Sequence, residues 1–344
     1  MSEKSKLEIA IITPYRHYYG GVEIVNEQLN KALSDHNITF ITLDNVVPVT
    51  VNQKIRCAIF GFVGLIKKVF QDQDKQFDLV ICNGEFGFGI DHPNAINLFH
   101  GSAYGYRKAK ASYIGFRERI DLIKTSLAQA LAVKNKYVVC VSNYVKKVLS
   151  NQGIEVHRVI HNCVDQEIFC PMPNCHRNNR ILFVGAMDYY GKGIDILSEL
   201  SEMGLQIDCV CENKPPSNLG WISCRNNYEL VDLYREYDLM IFPSRFEGMS
   251  MVVLEAMACG LPVIISNVGI ADELRRKIPE FVVDELESSE YFKRVEIILK
   301  EREEFSKKAV QYITTYHSFI TFREQWCSLV NDLVKSEKTY LVDA

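Results

Sequence analysis

Apolar and polar positions along the chain follow two periods that alternate from one end of the sequence to the other. Short apolar runs, such as residues 7–13, 79–82 and 95–99, have the length of buried strands, and amphipathic segments of helix length lie between them. Further strands are predicted at residues 39–43, 137–141, 181–184, 206–211, 239–242 and 262–266, and helices at 22–34, 114–133, 144–151, 192–203, 229–237 and 250–259. This alternation predicts an α/β fold with right-handed βαβ units and doubly wound parallel sheets.

The alternation is interrupted once, at residues 165–179, which contain two prolines and little periodicity. We interpret residues 166–179 as a linker between an N-terminal domain (1–165) and a C-terminal domain (180–320). Residues 321–344 are predicted to form a C-terminal helix, and packing of this helix back on the N-terminal domain is left open. Because ligands of open α/β sheets bind beyond the carboxyl ends of the strands, the cleft between the two domains is the expected site.

Charge divides the chain at the same place. Residues 1–165 carry 20 Lys and Arg against 15 Asp and Glu, whereas the remainder carries 19 against 28. A basic half joined to an acidic half predicts two domains that face different partners. The overall net charge of −4 and the lack of a nucleic-acid reader motif argue against a nucleic-acid partner.

The cysteines and the apolar runs indicate the compartment. Eleven cysteines are scattered without CxxC pairs, which is typical of reduced thiols inside the cell. No apolar run reaches the roughly 18 residues needed to cross a bilayer, and the start of the chain lacks a signal-peptide pattern. We therefore expect a cytoplasmic protein, and contact with the inner face of a membrane is left open.

Two carboxylates interrupt the apolar stretch FPSRFEGMSMVVLEAMACGLPVI at residues 242–264. Glu247 falls in the loop after a predicted strand, and Glu255 falls in the first two turns of a helix that Ser250 could cap. Free amides at the start of this helix attract an anion such as a phosphate. Carboxylates beside a phosphate site would repel it, so we expect them to accept hydrogen bonds from sugar hydroxyls instead.

A structural explanation of the two glutamates stays open on spacing alone. Burial of a carboxylate costs several kcal/mol unless the group is paired or hydrogen-bonded. A loop glutamate and a helix glutamate could be offset by the helix dipole and by a basic neighbour, Arg245 or Arg275.

The same stretch resembles the E-x7-E region of the family-4 retaining glycosyltransferases, which have the GT-B fold of two Rossmann-like domains. Other segments resemble this family in the expected order along most of the chain. They are YGGVE at 19–23, FHG at 99–101, VSNYVKK at 141–147, VIHNCVDQEIF at 159–169 and ILFVGAMDYYGKGIDIL at 181–197. The combination is specific, whereas a lone GGVE or a lone histidine would be weak.

The resemblance implies a role for each matching residue. Glu255 is expected to accept hydrogen bonds from the ribose hydroxyls of a nucleotide-sugar, Glu247 to contact the transferred sugar, and Lys192 to offset charge on the diphosphate. Gly21 would let the backbone approach the phosphates, and His100 would donate to the sugar or to the developing charge. The expected catalytic set is Glu247, His100 and Lys192, and the expected donor-binding set is Gly21, Gly185, Lys192, Arg245, Glu247, Gly248, Met249, Ser250, Met251, Val252 and Glu255.

Three of these residues also have ordinary structural explanations. Lys192 could be a solvated lysine in the first turn of a helix, Gly21 could serve only the turn from strand to helix, and His100 could be a structural histidine. One position departs from the family pattern, because Ala186 follows Gly185 where the family usually has arginine. Loss of a cation weakens the neutralisation of a diphosphate, unless Arg245 or Arg16 takes its place.

The resemblance implies a hexosyltransferase that moves a sugar from a nucleoside-diphosphate donor to an acceptor hydroxyl with retention, without a metal and without a cofactor besides the donor. Same-face attack, with the leaving phosphate accepting the acceptor's proton, fits this chemistry. Two alternatives stay open, a non-catalytic nucleotide-sugar-binding subunit and a GT-B-like sugar-nucleotide epimerase.

The acceptor is expected to bind the basic N-terminal half. Segments 54–70 and 106–120 combine apolar or aromatic residues with cations, which fits an anionic membrane surface and a glycan or lipid-linked acceptor of cell-surface polysaccharide or lipopolysaccharide assembly. For residues 54–70, a core helix with snorkelling ends is the preferred alternative.

Overall fold

Buried strands form two separate six-stranded sheets, one in each of two units of the chain. The computed structural model describes residues 6–14, 20–43, 63–73, 75–172, 179–223 and 227–340. The first unit comprises Met1–Lys108, Ile114–His161 and Ile320–Ala344, and the second comprises Ala109–Tyr113 and Asn162–Phe319. The five-residue segment Ala109–Tyr113 therefore belongs to the second unit, although both of its flanks belong to the first.

The first unit contains a parallel sheet with the strand order β2-β1-β3-β4-β5-β6. Its strands are β1 (Glu8–Ile12), β2 (Asn37–Ile41), β3 (Leu79–Asn83), β4 (Ala95–Phe99), β5 (Tyr137–Cys140) and β6 (Arg158–Val159). Its helices up to this point are α1 (Gly21–Ala32), α2 (Val63–Gln71), α3 (Ala103–Ala109), α4 (Phe116–Ala132) and α5 (Asn143–Ser150). Strands β3 and β4 are buried along their whole length, as expected of a parallel sheet covered by helices on both faces.

The second unit contains a parallel sheet with the strand order β12-β11-β10-β7-β8-β9. Its strands are β7 (Ile181–Val184), β8 (Ile207–Val210), β9 (Gly220–Ile222), β10 (Leu239–Phe242), β11 (Val263–Ser266) and β12 (Val282–Val283). Its helices are α6 (Ile194–Glu202), α7 (Asn227–Glu236), α8 (Met251–Ala258), α9 (Ala271–Arg275), α10 (Ser288–Lys300) and α11 (Arg302–Tyr316). This order is that of a doubly wound Rossmann-like sheet, in which the direction of winding reverses between β7 and β10.

The last helix, α12 (Phe319–Tyr340), packs within the first unit. Its Cys327 Sγ lies 3.7 Å from the carbonyl oxygen of Ala32 at the end of α1, and Arg323 forms an ion pair of 2.7 Å with Asp35. Trp326 is buried. The C-terminal helix therefore covers part of the first unit's core.

The predicted fold class is confirmed, with two doubly wound α/β sheets and a C-terminal helix. The bounds of all six predicted helices differ from the observed ones by one or two residues at each end. The helix predicted at 114–133 begins at Phe116, and the separate short helix α3 was not predicted because its seven residues are too few to show apolar periodicity. Lys192, predicted in the first turn of a helix, lies in the turn before α6, because Gly193 adopts a left-handed conformation there.

Parts of two predicted segments lie outside the described residues. Of segment 54–70, residues 63–70 are described and belong to α2, where Val63, Leu65 and Ile66 are buried. This part has the structure of a core helix. Arg16, Tyr19 and residues 173–178 of the predicted linker lie outside the described residues.

Candidate active site

Lys192 and Glu247 meet where the winding of the second unit's sheet reverses. Lys192 lies in the loop that follows β7, and Glu247 lies in the loop that follows β10, the neighbouring strand. The Lys192 ammonium forms a close ion pair with Glu247 Oε1, and the Ser244 hydroxyl donates to the same oxygen at 3.2 Å. Ligands of doubly wound sheets bind at this reversal, outside the carboxyl ends of the strands. The two residues are therefore at the expected ligand position of this unit.

Two glycines give the loop before α6 its shape. Gly193 has φ of +71°, and a Cβ at this position would overlap the carbonyl oxygen of Pro243. A Cβ on Gly191 would overlap the carboxylate of Asp188. Only glycine combines the left-handed conformation with this close approach of two backbone segments. The loop that carries Lys192 is thus packed directly against the loop that carries Glu247.

Arg245 does not supply a free cation to this site. Its guanidinium is bidentate to Asp195, with Nη1–Oδ1 of 2.8 Å and Nη2–Oδ2 of 2.6 Å, and Nη1 also donates to the carbonyl oxygen of Tyr190 at 2.7 Å. Gly185 and the exposed Ala186 directly follow β7. The charge of Arg245 is therefore already offset by a carboxylate in this structure.

The loop 248–250 leads into α8 and ends at Ser250, the N-cap position that the sequence predicts. The Ser250 side chain makes no capping hydrogen bond, so the sequence was right about the position and wrong about the side-chain bond. Met249 is buried, and its sulfur accepts a hydrogen bond from the Asn162 amide at 3.2 Å. Because the first amides of a helix have no partner within it, those of Met251 and Val252 are available to an anion.

A small cavity of about 10 Å³, which is room for about one water molecule, lies beside these groups. Its wall includes Glu247, Ser250 and Gly269. Gly269, which has φ of +63°, is a neighbour of Glu247, since a Cβ on it would be in ordinary van der Waals contact with the Cβ of Glu247 at 3.5 Å. The pocket places a carboxylate and a helix N-terminus around one cavity.

Glu255 is buried in α8, with 5% of its surface exposed. The Tyr234 hydroxyl donates to Glu255 Oε2 at 3.4 Å, and Glu255 takes part in none of the ion pairs found in the described part of the chain. Burial raises the pKa of the Glu255 carboxyl to about 7, against a smaller lowering by the bond from Tyr234. With this pKa the carboxyl is about half ionised near pH 7, and its ionised form accepts hydrogen bonds at both oxygens.

The basic neighbours suggested for the two glutamates have other partners. Arg245 pairs with Asp195, and Arg275 pairs with Asp272 and Asp284. The structural explanation based on these arginines is therefore wrong. Glu247 does have a cation, which is Lys192.

His100 lies in the first unit, directly after β4, at the end of a directed chain of hydrogen bonds. Its Nε2 lies 2.9 Å from Asn83 Oδ1, Asn83 Nδ2 donates to Asn26 Oδ1 at 2.9 Å, and Asn26 Nδ2 donates to Thr13 Oγ1 at 3.0 Å. Burial lowers the pKa of His100 to about 4, so the ring is neutral near pH 7. A neutral ring that donates from Nε2 to Asn83 offers an acceptor at Nδ1 rather than a second donor.

Gly21 is the first residue of α1, in the same unit, and Asn26 follows it on that helix. The structure thus places Gly21 and His100 in the first unit and all other predicted site residues in the second. Sequence reasoning did not identify Asn26, Asn83 or Tyr234. The polar Asn83 at the end of the apolar strand β3 was a usable signal, whereas nothing local indicates Tyr234.

Two other features are absent from the described ranges. No group of three or more His, Cys, Asp or Glu side chains there has an arrangement that could hold a metal ion. No helix in those ranges combines the length and the apolar character that a membrane span requires.

Residues 214–301 match the family model described as glycosyl transferases group 1. An uncharacterized glycosyltransferase of Methanocaldococcus jannaschii is 25% identical over 299 residues, which is 78% of this chain and 81% of the relative. The O-antigen chain mannosyltransferase B of Escherichia coli is 29% identical over 164 residues, 48% of this chain and 37% of the relative.

Solved structures share the fold of this chain. Sucrose-phosphate synthase from Thermosynechococcus elongatus superposes with a TM-score of 0.77 at 17% identity, over 96% of this chain and 100% of that one. The Anabaena protein Alr3699/HepE in complex with UDP-glucose superposes with a TM-score of 0.70 at 15% identity, over 95% and 100% of the two chains.

Proposed function

We propose that this chain, a glycosyltransferase of the GT-B fold, is a retaining, metal-independent enzyme of family 4 that transfers a hexose from a nucleoside-diphosphate sugar to an acceptor hydroxyl. The observation that carries the proposal is the meeting of Lys192 and Glu247 at the reversal point of the second sheet, with Glu255 in the helix that follows. This position and these residue types match the E-x7-E resemblance in the sequence.

The nucleotide end of the donor binds to Glu255. A buried carboxylate can accept two hydrogen bonds from the 2′- and 3′-hydroxyls of a ribose, and the low local polarity strengthens such bonds. Because these hydroxyls are donors, the ionised form of Glu255 binds them best. The pKa of about 7 then makes donor binding tighten as the pH rises through neutrality.

The diphosphate binds to Lys192 and to the amides at the start of α8. Lys192 leaves Glu247 when the donor enters, and the ammonium then faces the phosphates while Glu247 accepts hydroxyls of the transferred sugar. Fixed dipoles and a lysine stabilise the leaving diphosphate electrostatically. The leaving phosphate accepts the acceptor's proton during attack on the same face of the sugar.

His100 acts on the sugar as a neutral ring. The bond from Nε2 to Asn83 fixes its tautomer and its orientation, as second partners of catalytic histidines do elsewhere. Its Nδ1 is then free to accept a hydrogen bond from a sugar hydroxyl, which replaces the donor role expected from the sequence.

The acceptor is a glycan or lipid-linked sugar at an anionic membrane, as in polysaccharide or lipopolysaccharide assembly. The relative named for O-antigen synthesis supports this class of acceptor. Large apolar side chains are also exposed along one face of α4, namely Phe116, Ile123, Leu127 and Leu131. Arg117 on the same helix is exposed as well, and this combination suits an interfacial helix.

A donor screen tests the proposal. UDP-, GDP-, ADP- and dTDP-sugars are added to the purified chain, and the shift of the melting temperature and the release of nucleoside diphosphate are measured. We expect one donor to raise the melting temperature and to be turned over with a lipid or glycan acceptor. No shift with any donor would refute the proposal.

A second candidate is a non-catalytic nucleotide-sugar-binding subunit, which Ala186 in place of the usual arginine favours. Donor binding without release of nucleoside diphosphate, across a broad acceptor panel, would support this candidate over the enzyme.

A further inference from the structure

An acidic residue shapes the loop that carries Lys192. Asp188 Oδ1 accepts the Gly191 amide at 3.1 Å, and the Asp188 carbonyl oxygen accepts the Lys192 amide at 2.9 Å. Asp188 therefore holds the turn in place. It also puts a negative charge within four residues of the lysine that the proposed function assigns to a diphosphate, where a second negative group is unfavourable.

Lys110 reaches this carboxylate from a distant part of the sequence. Its Nζ donates to Asp188 Oδ2 at 3.0 Å, and the residue is buried, with 8% of its surface exposed. Lys110 belongs to Ala109–Tyr113, the short segment that the contacts group with the second unit. Both oxygens of Asp188 thus have a donor, one from the loop itself and one from this segment.

The other end of the segment is attached to the same loop. The ring of Tyr113 stacks on that of Tyr190, with centroids 3.9 Å apart and planes inclined by 11°. The Arg245 guanidinium lies 6.0 Å from the centroid of Tyr113 and also binds the carbonyl oxygen of Tyr190. Two independent contacts therefore hold the segment on the loop 188–190.

We propose that Lys110 is a positioning residue for the donor's diphosphate, which acts by neutralising Asp188 in the phosphate-binding loop. This inference rests on the proposed function and extends it. It explains how the site tolerates Ala186 in place of the usual arginine. Lys110 removes the negative charge of Asp188, so a second cation on the phosphates is not needed.

The distribution of ion pairs supports this assignment. Lys192 pairs with Glu247, Arg245 with Asp195, and Lys110 with Asp188, so the three cations around the loop are each matched by a carboxylate. Lys192 can be released when a sugar occupies Glu247. Without Lys110, the charge of Asp188, whose side chain is 30% exposed, would be only partly screened by solvent when the diphosphate arrives.

A double-mutant cycle on the full chain tests the inference. The variants are Lys110→Met, Asp188→Asn and the double variant, and calorimetric titration with UDP, GDP and ADP gives the affinities. We expect Lys110→Met to weaken binding of the preferred nucleotide about tenfold, and Asp188→Asn to leave it within about twofold. The double variant should bind like Asp188→Asn, because no uncompensated carboxylate is left.

Two controls separate charge compensation from a general structural effect. Lys108→Met removes the same charge two positions away and should leave the affinity unchanged. The loss in Lys110→Met should be larger for UDP than for UMP, or for the matching pair with another base, because only the diphosphate reaches the loop. Lys110→Arg should retain most of the affinity, because it keeps the charge.

Each outcome of the cycle either supports or overturns the role proposed for Lys110. Unchanged binding in Lys110→Met would overturn the inference while leaving the proposed function intact. A double variant as weak as Lys110→Met would overturn it too, since Lys110 would then act on the ligand or on the fold rather than through Asp188. If Lys110→Met does not fold, a double variant that binds the nucleotide more weakly than Asp188→Asn overturns the inference. Absence of nucleotide binding in the wild type would overturn the proposed function and the inference together.

Discussion

Glu247 and Glu255 are eight residues apart and have opposite electrostatic surroundings. Glu247 lies in a loop at the edge of a pocket, paired with Lys192 and hydrogen-bonded by Ser244. Glu255 lies inside α8, buried and bound by the Tyr234 hydroxyl, with its pKa raised to about 7. The same side chain is thus held by a cation in one place and nearly without charge compensation in the other.

The difference indicates that Glu255 binds the donor as it stands, whereas Glu247 must first release Lys192. Glu255 is already shielded from water before any ligand arrives and is bound by the Tyr234 hydroxyl, so hydroxyl donors of a ligand stabilise its ionised form. Glu247 instead exchanges Lys192 for a sugar, which couples occupation of the sugar site to the release of a cation for the diphosphate. We therefore assign donor affinity mainly to Glu255 and turnover mainly to Glu247.

The largest expected effect is the loss of donor binding in Glu255→Ala. Removal of two charge-assisted hydrogen bonds should lower donor affinity about 10³-fold, which abolishes the thermal shift. Glu236→Ala removes an exposed glutamate from the helix that bears Tyr234 and serves as the control. An unchanged shift in Glu255→Ala would remove this residue from the ribose role.

Glu247→Gln should affect turnover more than affinity. Loss of the carboxylate weakens the contacts to the sugar in the transition state and should lower kcat about 10²-fold. Donor affinity should not fall, because Lys192 is no longer held by an ion pair. Steady-state kinetics with titration of the same protein provides both numbers. A parallel loss of affinity and kcat would erase the distinction between the two glutamates.

The pH dependence of stability isolates Glu255 without any ligand. The pKa in the folded state, about 7, exceeds the ordinary value of 4.5, so the folded chain keeps a proton that the unfolded chain releases. This contribution to stability is complete below about pH 4.5 and is lost as the pH rises through 7. As the pH rises between these limits, the wild type should therefore lose about 3 kcal/mol of its free energy of unfolding relative to Glu255→Gln, which has no carboxyl at this position.

Denaturant titrations of both proteins at pH 4.5, 6 and 8 measure this difference directly. A constant offset between the two proteins is expected from packing and does not affect the test. A difference that does not change with pH would mean that Glu255 is ionised normally in the fold.

The smallest expected effect concerns Tyr234. Its hydroxyl bond lowers the pKa of Glu255, so Tyr234→Phe should raise that pKa further and move the midpoint of donor binding to higher pH by less than about one unit. Donor affinity measured from pH 6 to 9 in both proteins provides the two midpoints. A midpoint displaced to lower pH would contradict this assignment.

Much of the fold was predictable because the local periodicity of apolar and polar residues determines where its strands and helices lie. The strands β4, β7 and β10 have the bounds predicted from their apolar runs, and the recognition of a GT-B glycosyltransferase is confirmed. Parallel sheets favour such prediction, because their strands are continuous apolar runs between amphipathic helices.

The contacts around the candidate site were predicted less well, because they join residues far apart in sequence. Nothing near Arg245 shows that Asp195 holds it, and nothing near Lys110 shows that it reaches Asp188 across 78 positions. Side-chain partners of this kind follow from the tertiary arrangement, whereas periodicity reports only which face of an element is buried. The roles of the site residues stay predictions until a ligand is bound.

The most direct test of the central claim is a crystal structure with the nucleoside-diphosphate sugar selected by the donor screen. We predict both ribose hydroxyls within hydrogen-bonding distance of Glu255, and the diphosphate against Lys192 and the amides of Met251 and Val252. A nucleotide bound in the first unit, or in the second unit away from Glu255, would contradict the account.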